Sequence, residues 1–229
     1  MQLFFIPNLS IDFTIEGEEA GHISRVLRKK VGDHFLVTDG IGKGYKAEII
    51  EIGKNDISAK IVEEVKGDFE IITKVHLVVA PTKNIDRFEW IIEKAVELGA
   101  SEITPILCDR SERKIVNIER MNKLALSAMK QSGRFYLPKV NELVKLEKFK
   151  TDSVLKFIAH CEESVIKNEL NQLPITKSVT ILIGPEGDFS PKEIEKAKLD
   201  NYLPISLGKS RLRTETAAIY AVSYFRFGG

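Results

Sequence analysis

Two glycine-bearing loops carry the residues best suited to chemistry. The first is Ile183-Gly184-Pro185-Glu186-Gly187-Asp188-Phe189-Ser190, which follows an apolar run and precedes a capped helix. The second is Leu207-Gly208-Lys209-Ser210-Arg211-Leu212-Arg213-Thr214-Glu215-Thr216-Ala217, between another apolar run and the last helix. Glycines there let a ligand approach the backbone without a Cβ in the way. Free N–H and C=O groups in such loops can read the edge of a purine. If both runs are strands, both loops lie at carboxyl ends, where open α/β sheets bind ligands. Other chemistries lack their residues. There is no GxGxxG after a strand, no GxxxxGK[ST], no HExxH and no GxSxG. The histidines His22, His34, His76 and His160 are scattered, and Cys108 and Cys161 match no zinc or redox spacing, reading as reduced core or near-core thiols.

The elements that position these loops are legible around them. Val75–Ala80 is nearly all apolar, as expected of a strand covered on both faces. Ile85, Phe88, Ile92 and Ala95 recur at helical spacing and Gly99 follows, so a helix spans about 85–98. Further strands are expected at 103–108, 154–159, 179–183 and 203–207, with a basic helix at 118–131. Ser190-Pro191-Lys192-Glu193 is a capping box with proline at the first helical position. Thr214–Phe227 reads as an apolar helix capped by Thr214. The apolar faces of 85–98 and 214–227 are core or dimer surface, and Trp90 is assigned to core or interface, with base stacking as its alternative. Strands alternating with helices imply an α/β domain with a mostly parallel sheet. Upstream the texture is β: 35–38, 45–50 and 57–62 are short strand-like runs with Asp39-Gly40 at a turn, interrupted by a helical turn near His22–Arg28. This suggests a small barrel over 1–70, then an α/β domain over 71–229, with the boundary in the polar stretch Glu63–Glu70.

The 229 residues suffice for one or two cored domains, and 43% hydrophobic with 29% charged is an ordinary globular balance. There is no long apolar run and no leader-like N-terminus, so the expected setting is cytoplasmic. Net charge is +1 overall, yet residues 110–150 hold 11 basic and 4 acidic residues. Such a block is either a solvated helix face or the footprint of a local polyanion site.

The pair GPEG-x-FS-x-x-E and LG-x-x-x-LRTETA resembles the C-terminal signature of the SPOUT, or trefoil-knot, methyltransferases, and more narrowly the ribosomal RNA small subunit methyltransferase E family. Other segments agree. They are His22-x-x-x-Val26-Leu27-Arg28 with Gly32, and Lys83-x-x-Asp86-Arg87-x-Glu89 with Glu93-Lys94-Ala95-x-Glu97-Leu98-Gly99. Arg110-Ser111-Glu112-Arg113 and Gln131-Ser132-x-Arg134 with Pro138 complete the set. Asp188 stands where the family often has a third glycine, Ser210 where a basic residue is common, and Arg211 where an aliphatic one is.

The resemblance implies a PUA-like β-barrel followed by a SPOUT trefoil-knot domain, S-adenosylmethionine (SAM) as cofactor, a homodimer, and methylation of N3 of one uridine in 16S rRNA of the small ribosomal subunit. DNA and membranes are not expected partners. A related RNA methyltransferase with another target atom, and a non-catalytic assembly factor, are the alternatives. By the same resemblance, His160, Gly184, Pro185, Glu186, Gly187, Ile205, Leu207, Gly208 and Leu212 would hold SAM. Glu186 either faces the donor or supports its loop. Arg213 would stabilise charge developing on uridine O2/O4, since a guanidinium is a poor base at neutral pH. Glu215 is either a proton acceptor or a first-turn residue favourable to the helix dipole. Lys83, Arg87, Arg110, Arg113 and Arg134 would contact phosphates. N3 lies on the Watson–Crick edge, so the target must be unpaired or flipped out.

Overall fold

The computed structural model describes residues 2–66, 73–170, 173 and 176–227. Packing divides the chain into two compact units, Met1–Glu70 with Met129–Leu137, and Ile71–Ala128 with Pro138–Gly229.

The first unit is a curled five-stranded sheet of β1 (Leu3–Phe5), β2 (Asp12–Glu16), β3 (His34–Thr38), β4 (Gly44–Ile52) and β5 (Asp56–Val65), in the order β1-β3-β4-β5-β2. β1 runs parallel to β3 and the other pairs are antiparallel. Alternation sends Phe4, Phe35, Val37, Ala47, Ile49 and Ile57 into one core, where the Phe4 and Phe35 rings meet edge to face. The helical turn expected near His22 begins earlier, as α1 (Gly17–Gly21), and continues as a π-helical turn to Val26. Phe135 to Leu137 join this unit because they close the 38–44 turn. Thr38 Oγ1 and Gly42 N both donate to Phe135 O, and Leu137 N donates to Gly40 O. β5 runs through Glu63 to Val65, so the expected boundary stretch starts as strand; its remainder at 67–70 lies outside the described residues.

The second unit is built on β6 (Lys74–Val79), α2 (Ile85–Leu98), β7 (Glu102–Leu107), α3 (Ile118–Ser132, whose end from Met129 falls in the first unit), β8 (Lys139–Val140) and β9 (Val144–Lys145). It continues with β10 (Leu155–Ala159), β11 (Asn168–Glu169), β12 (Ser178–Ile183), α4 (Pro191–Leu199), β13 (Leu203–Ser206) and α5 (Thr214–Phe227). The sheet order is β11-β13-β10-β12-β6-β7-β8, with β9 beside β7, and every pair is parallel. β6 and β12 are buried along nearly their whole length, matching sequences that are apolar except at Lys74, His76, Ser178 and Thr180. α2 is capped by Asn84, whose side chain accepts from Asp86 N, and stopped by Gly99 at φ 89°. Ser190 and Glu193 form the expected reciprocal capping box on α4.

The last connection sets the site. β13 lies beyond β10, while α5 packs on α2, β6 and β12. The chain leaving β13 therefore returns across the carboxyl ends of β10 and β12. Thr214, expected as a cap, is instead the first residue of α5, and its hydroxyl donates to Gly184 O at 3.1 Å. That bond fastens the second loop to the first.

Candidate active site

Ala159, Ile183 and Ile205 stand side by side in the ladder at the carboxyl ends of β10, β12 and β13. The segments leaving these three strand ends therefore converge on one cleft of about 800 Å³. That lies within the ~300–1,000 Å³ common for cofactor sites. Of the expected cofactor residues, His160, Gly184, Pro185, Glu186, Ile205, Leu207, Gly208 and Leu212 line the cleft. Gly187 does not; its carbonyl accepts from Arg110 Nη1 at 3.0 Å on the outer side of the loop. Arg213 and Arg87 are also on the lining, and Glu215 is not.

The loops are shaped by close backbone contact. A Cβ on Gly184 would lie 3.1 Å from the Phe189 ring, tighter than side chains normally accept. Gly208 has φ 114°, a conformation open in practice to glycine alone. Asp188 occupies the left-handed region at φ 64°, which Asp and Asn tolerate best among residues with a side chain. Its carboxylate does not cap α4, whose N-cap is Ser190. Oδ2 accepts from Cys161 N and Oδ1 from Phe189 N, both at 2.8 Å, so Asp188 ties the glycine loop to the chain leaving β10. Glu186 Oε1 accepts from Lys83 N at 3.0 Å, the loop-supporting arrangement.

His160 is 7% exposed, and both ring nitrogens are buried with no hydrogen-bond partner. Burial, and secondarily the charge of Lys167, hold its pKa below 6.5, with Asp188 and Glu162 partly offsetting. A buried imidazole with two unpaired nitrogens on the cleft lining fits a polar ligand there. Around it the lining mixes glycine backbone with apolar Ile183, Ile205 and Leu212, suited to a nucleoside with a polar tail. On these grounds the donor set fits SAM.

The cationic residues divide. Lys83 pairs with Glu112 at 2.8 Å. Arg110 donates to Gly187 O and Phe189 O, and Arg113 donates to Thr82 O and Lys83 O. Arg134 is buried at 7% exposure. Arg87 reaches the cleft from α2, with Nη1 3.8 Å from Glu215 Oε1, while Glu215 Oε2 is buried without a partner. Cys161, expected near the core, is exposed and lines the cleft, whereas Cys108 is buried. Trp90 is 42% exposed, so it is no part of this chain's own core. Lys167, Asp188, Lys209 and Arg211 also line the cleft without having been singled out as ligand residues. Position was their only signal, within a few residues of a strand end. Among the described residues no group of three or more His, Cys, Asp or Glu could hold a metal ion.

A family model described as an RNA methyltransferase domain matches residues 70–226, and one described as an RNA methyltransferase PUA domain matches 15–62. The ribosomal RNA small subunit methyltransferase E of Bacillus subtilis is 31% identical over 226 residues, covering 92% of this chain and 88% of that protein. The chain belongs to the ribosomal RNA small subunit methyltransferase E family. Its Rickettsia conorii relative of the same name is 34% identical, covering 91% and 86%. A solved family member from Neisseria gonorrhoeae, bound to S-adenosylmethionine, superposes with a TM-score of 0.82 at 29% identity, covering 97% of this chain and 95% of that one. The fold class is thus the SPOUT trefoil-knot domain preceded by a PUA-like barrel.

Proposed function

We propose that this protein is a SAM-dependent rRNA methyltransferase that methylates N3 of one uridine in 16S rRNA, acting on the small ribosomal subunit as a cytoplasmic homodimer. The observation that carries the reading is the cleft where three strand ends, two glycine loops and the unsatisfied imidazole of His160 meet. Family membership supplies the RNA class. Trp90 at 42% and Tyr220 at 45% exposure, on helices that pack together, support a second copy covering α2 and α5.

When bound, SAM supplies an electrophilic methyl carbon, so the protein need form no covalent intermediate. Gly184 to Glu186 in the first loop, with Leu207, Gly208 and Leu212 in the second, would hold the donor, and His160 would offer a neutral ring to its polar atoms. Arg213, exposed on the cleft wall, faces the incoming base. It stabilises the charge that builds on O2/O4 as N3 loses its proton to solvent at the mouth. Glu215 is turned from the cleft toward Arg87 and acts by positioning that guanidinium.

The test uses labelled SAM and small ribosomal subunits from cells lacking the protein, followed by reverse transcription, which a methyl on N3 blocks. A stop at one uridine that requires both SAM and protein is expected. Label without a stop would move the chemistry to another atom. Absence of label with RNA binding intact would leave a non-catalytic assembly factor.

A further inference from the structure

We infer that Lys209 and Arg211 form a phosphate-binding rim that grips the RNA backbone beside the target nucleotide. This rests on the RNA substrate proposed above. Of the cations expected on RNA, Lys83, Arg110 and Arg113 are engaged with a carboxylate or with loop carbonyls, and Arg134 is buried. The loop 207–213 differs. Lys209, Arg211 and Arg213 are exposed on the cleft lining, and no described residue pairs with their side chains. Leu212 between two of them is half-buried, so the loop keeps its apolar residue inward and its cations outward.

Three carboxylates share the lining, Glu163, Glu186 and Asp188, against the five cations Arg87, Lys167, Lys209, Arg211 and Arg213, so the balance there stays positive. Glu186 accepts from Lys83 N and Asp188 from Cys161 N and Phe189 N, and among the described residues none of the three pairs with Lys209 or Arg211. The loop is also held at both ends. Gly208 N donates to Ser206 Oγ, and Thr214 Oγ1 donates to Gly184 O. Unpaired cations on an anchored loop present charge at a defined place without first breaking an ion pair. The other anion the cleft would take is the carboxylate of the donor's methionine moiety; it would bring one charge and so would not account for two rim cations.

The experiment measures affinity for a single-stranded RNA oligonucleotide and for small ribosomal subunits against salt, comparing wild type with Lys209→Ala/Arg211→Ala. Loss of two single-strand phosphate contacts should flatten the log–log salt slope by about 1.4, since each is worth about 0.7. The gap between wild type and variant then narrows about sevenfold from 50 to 200 mM salt by the same relation. SAM affinity by calorimetry should stay within about twofold, which also shows the variant is folded; Lys209→Arg/Arg211→Lys should keep the wild-type slope. An unchanged slope in the alanine variant would overturn the rim. So would a large loss of SAM affinity, which would assign these cations to the donor's carboxylate. Failure of the wild type to bind RNA at all would strike the proposed function itself.

Discussion

The carboxylate of Asp188 makes two 2.8 Å bonds from a backbone held at φ 64°. Glycine would relieve the left-handed strain, about 1 kcal/mol, but would remove two charge-assisted bonds worth about 1.5–3 kcal/mol each. Asp188→Gly should therefore weaken SAM binding about tenfold or more, with Asp188→Asn intermediate; calorimetry giving Asp188→Gly wild-type affinity would show that the tie to Cys161 carries nothing. Arg213 predicts a different pattern. Arg213→Ala should lower kcat by about 10²–10³, as for loss of one preorganised donor, while SAM affinity barely moves. A parallel fall in SAM binding would place Arg213 in the donor site instead. His160 adds a pH signature. Its folded pKa lies below the ordinary 6.5, so above that pH both folded and unfolded forms are neutral and stability is full. As pH falls through 6.5 the unfolded chain takes up the proton first, and stability is lost until the folded pKa is passed. His76, also depressed by burial, acts in the same window. His160→Gln should make the fall of Tm between pH 6.5 and 5 shallower and leave the profile above pH 7.5 flat.

At the scale of elements, Ser190 joins two structures. It caps α4 through Glu193 N, and its hydroxyl donates to Asp109 Oδ2 at 2.6 Å, while Glu193 Oε1 accepts from Asp109 N. Ser190→Ala should cost about 1–2 kcal/mol, the upper end for a lost cap, read as a shifted urea midpoint at constant slope. A loss no larger than a few tenths would mean the Asp109 link adds nothing. The capping box was legible because its residue types sit at fixed spacing, as were α2, with its apolar stripe and Gly99, and the mostly apolar strands β6 and β12. β1, with three residues, and β8, β9 and β11, with two each, were not legible, because no hydrophobic period completes itself over so short a run. The arginines show the same limit in the site. Arg110 bonds a carbonyl 77 residues away, a use that charge patterning within 110–150 cannot express.

For the whole molecule, the alternation of strands and helices implied a parallel sheet, but the order β13-β10-β12-β6 and the return of α5 behind it are properties of long-range packing. Residue pattern alone suggests an ordinary doubly wound sheet, since threaded topologies are rare. The trefoil knot was readable only through resemblance, whereas the place of the cleft was already indicated by two glycine loops at the carboxyl ends of strands. Nor does local pattern explain why α3 begins in the second unit and ends in the first, where Phe135 to Leu137 complete a turn. Each unit has its own apolar cluster, one around Phe35 and another around Val78, Ile106, Ile158 and Leu182. The lining of the cleft lies wholly within the second unit. Phe35→Ala, at a fully buried ring, should therefore destabilise the first unit by about 3–5 kcal/mol and weaken binding to ribosomal subunits. SAM affinity by calorimetry at a temperature below the unfolding transition should remain within about twofold. If SAM binding fell together with the stability of the barrel, the cleft would depend on the PUA-like unit for its shape, and the donor site would have to be understood as a property of the whole chain.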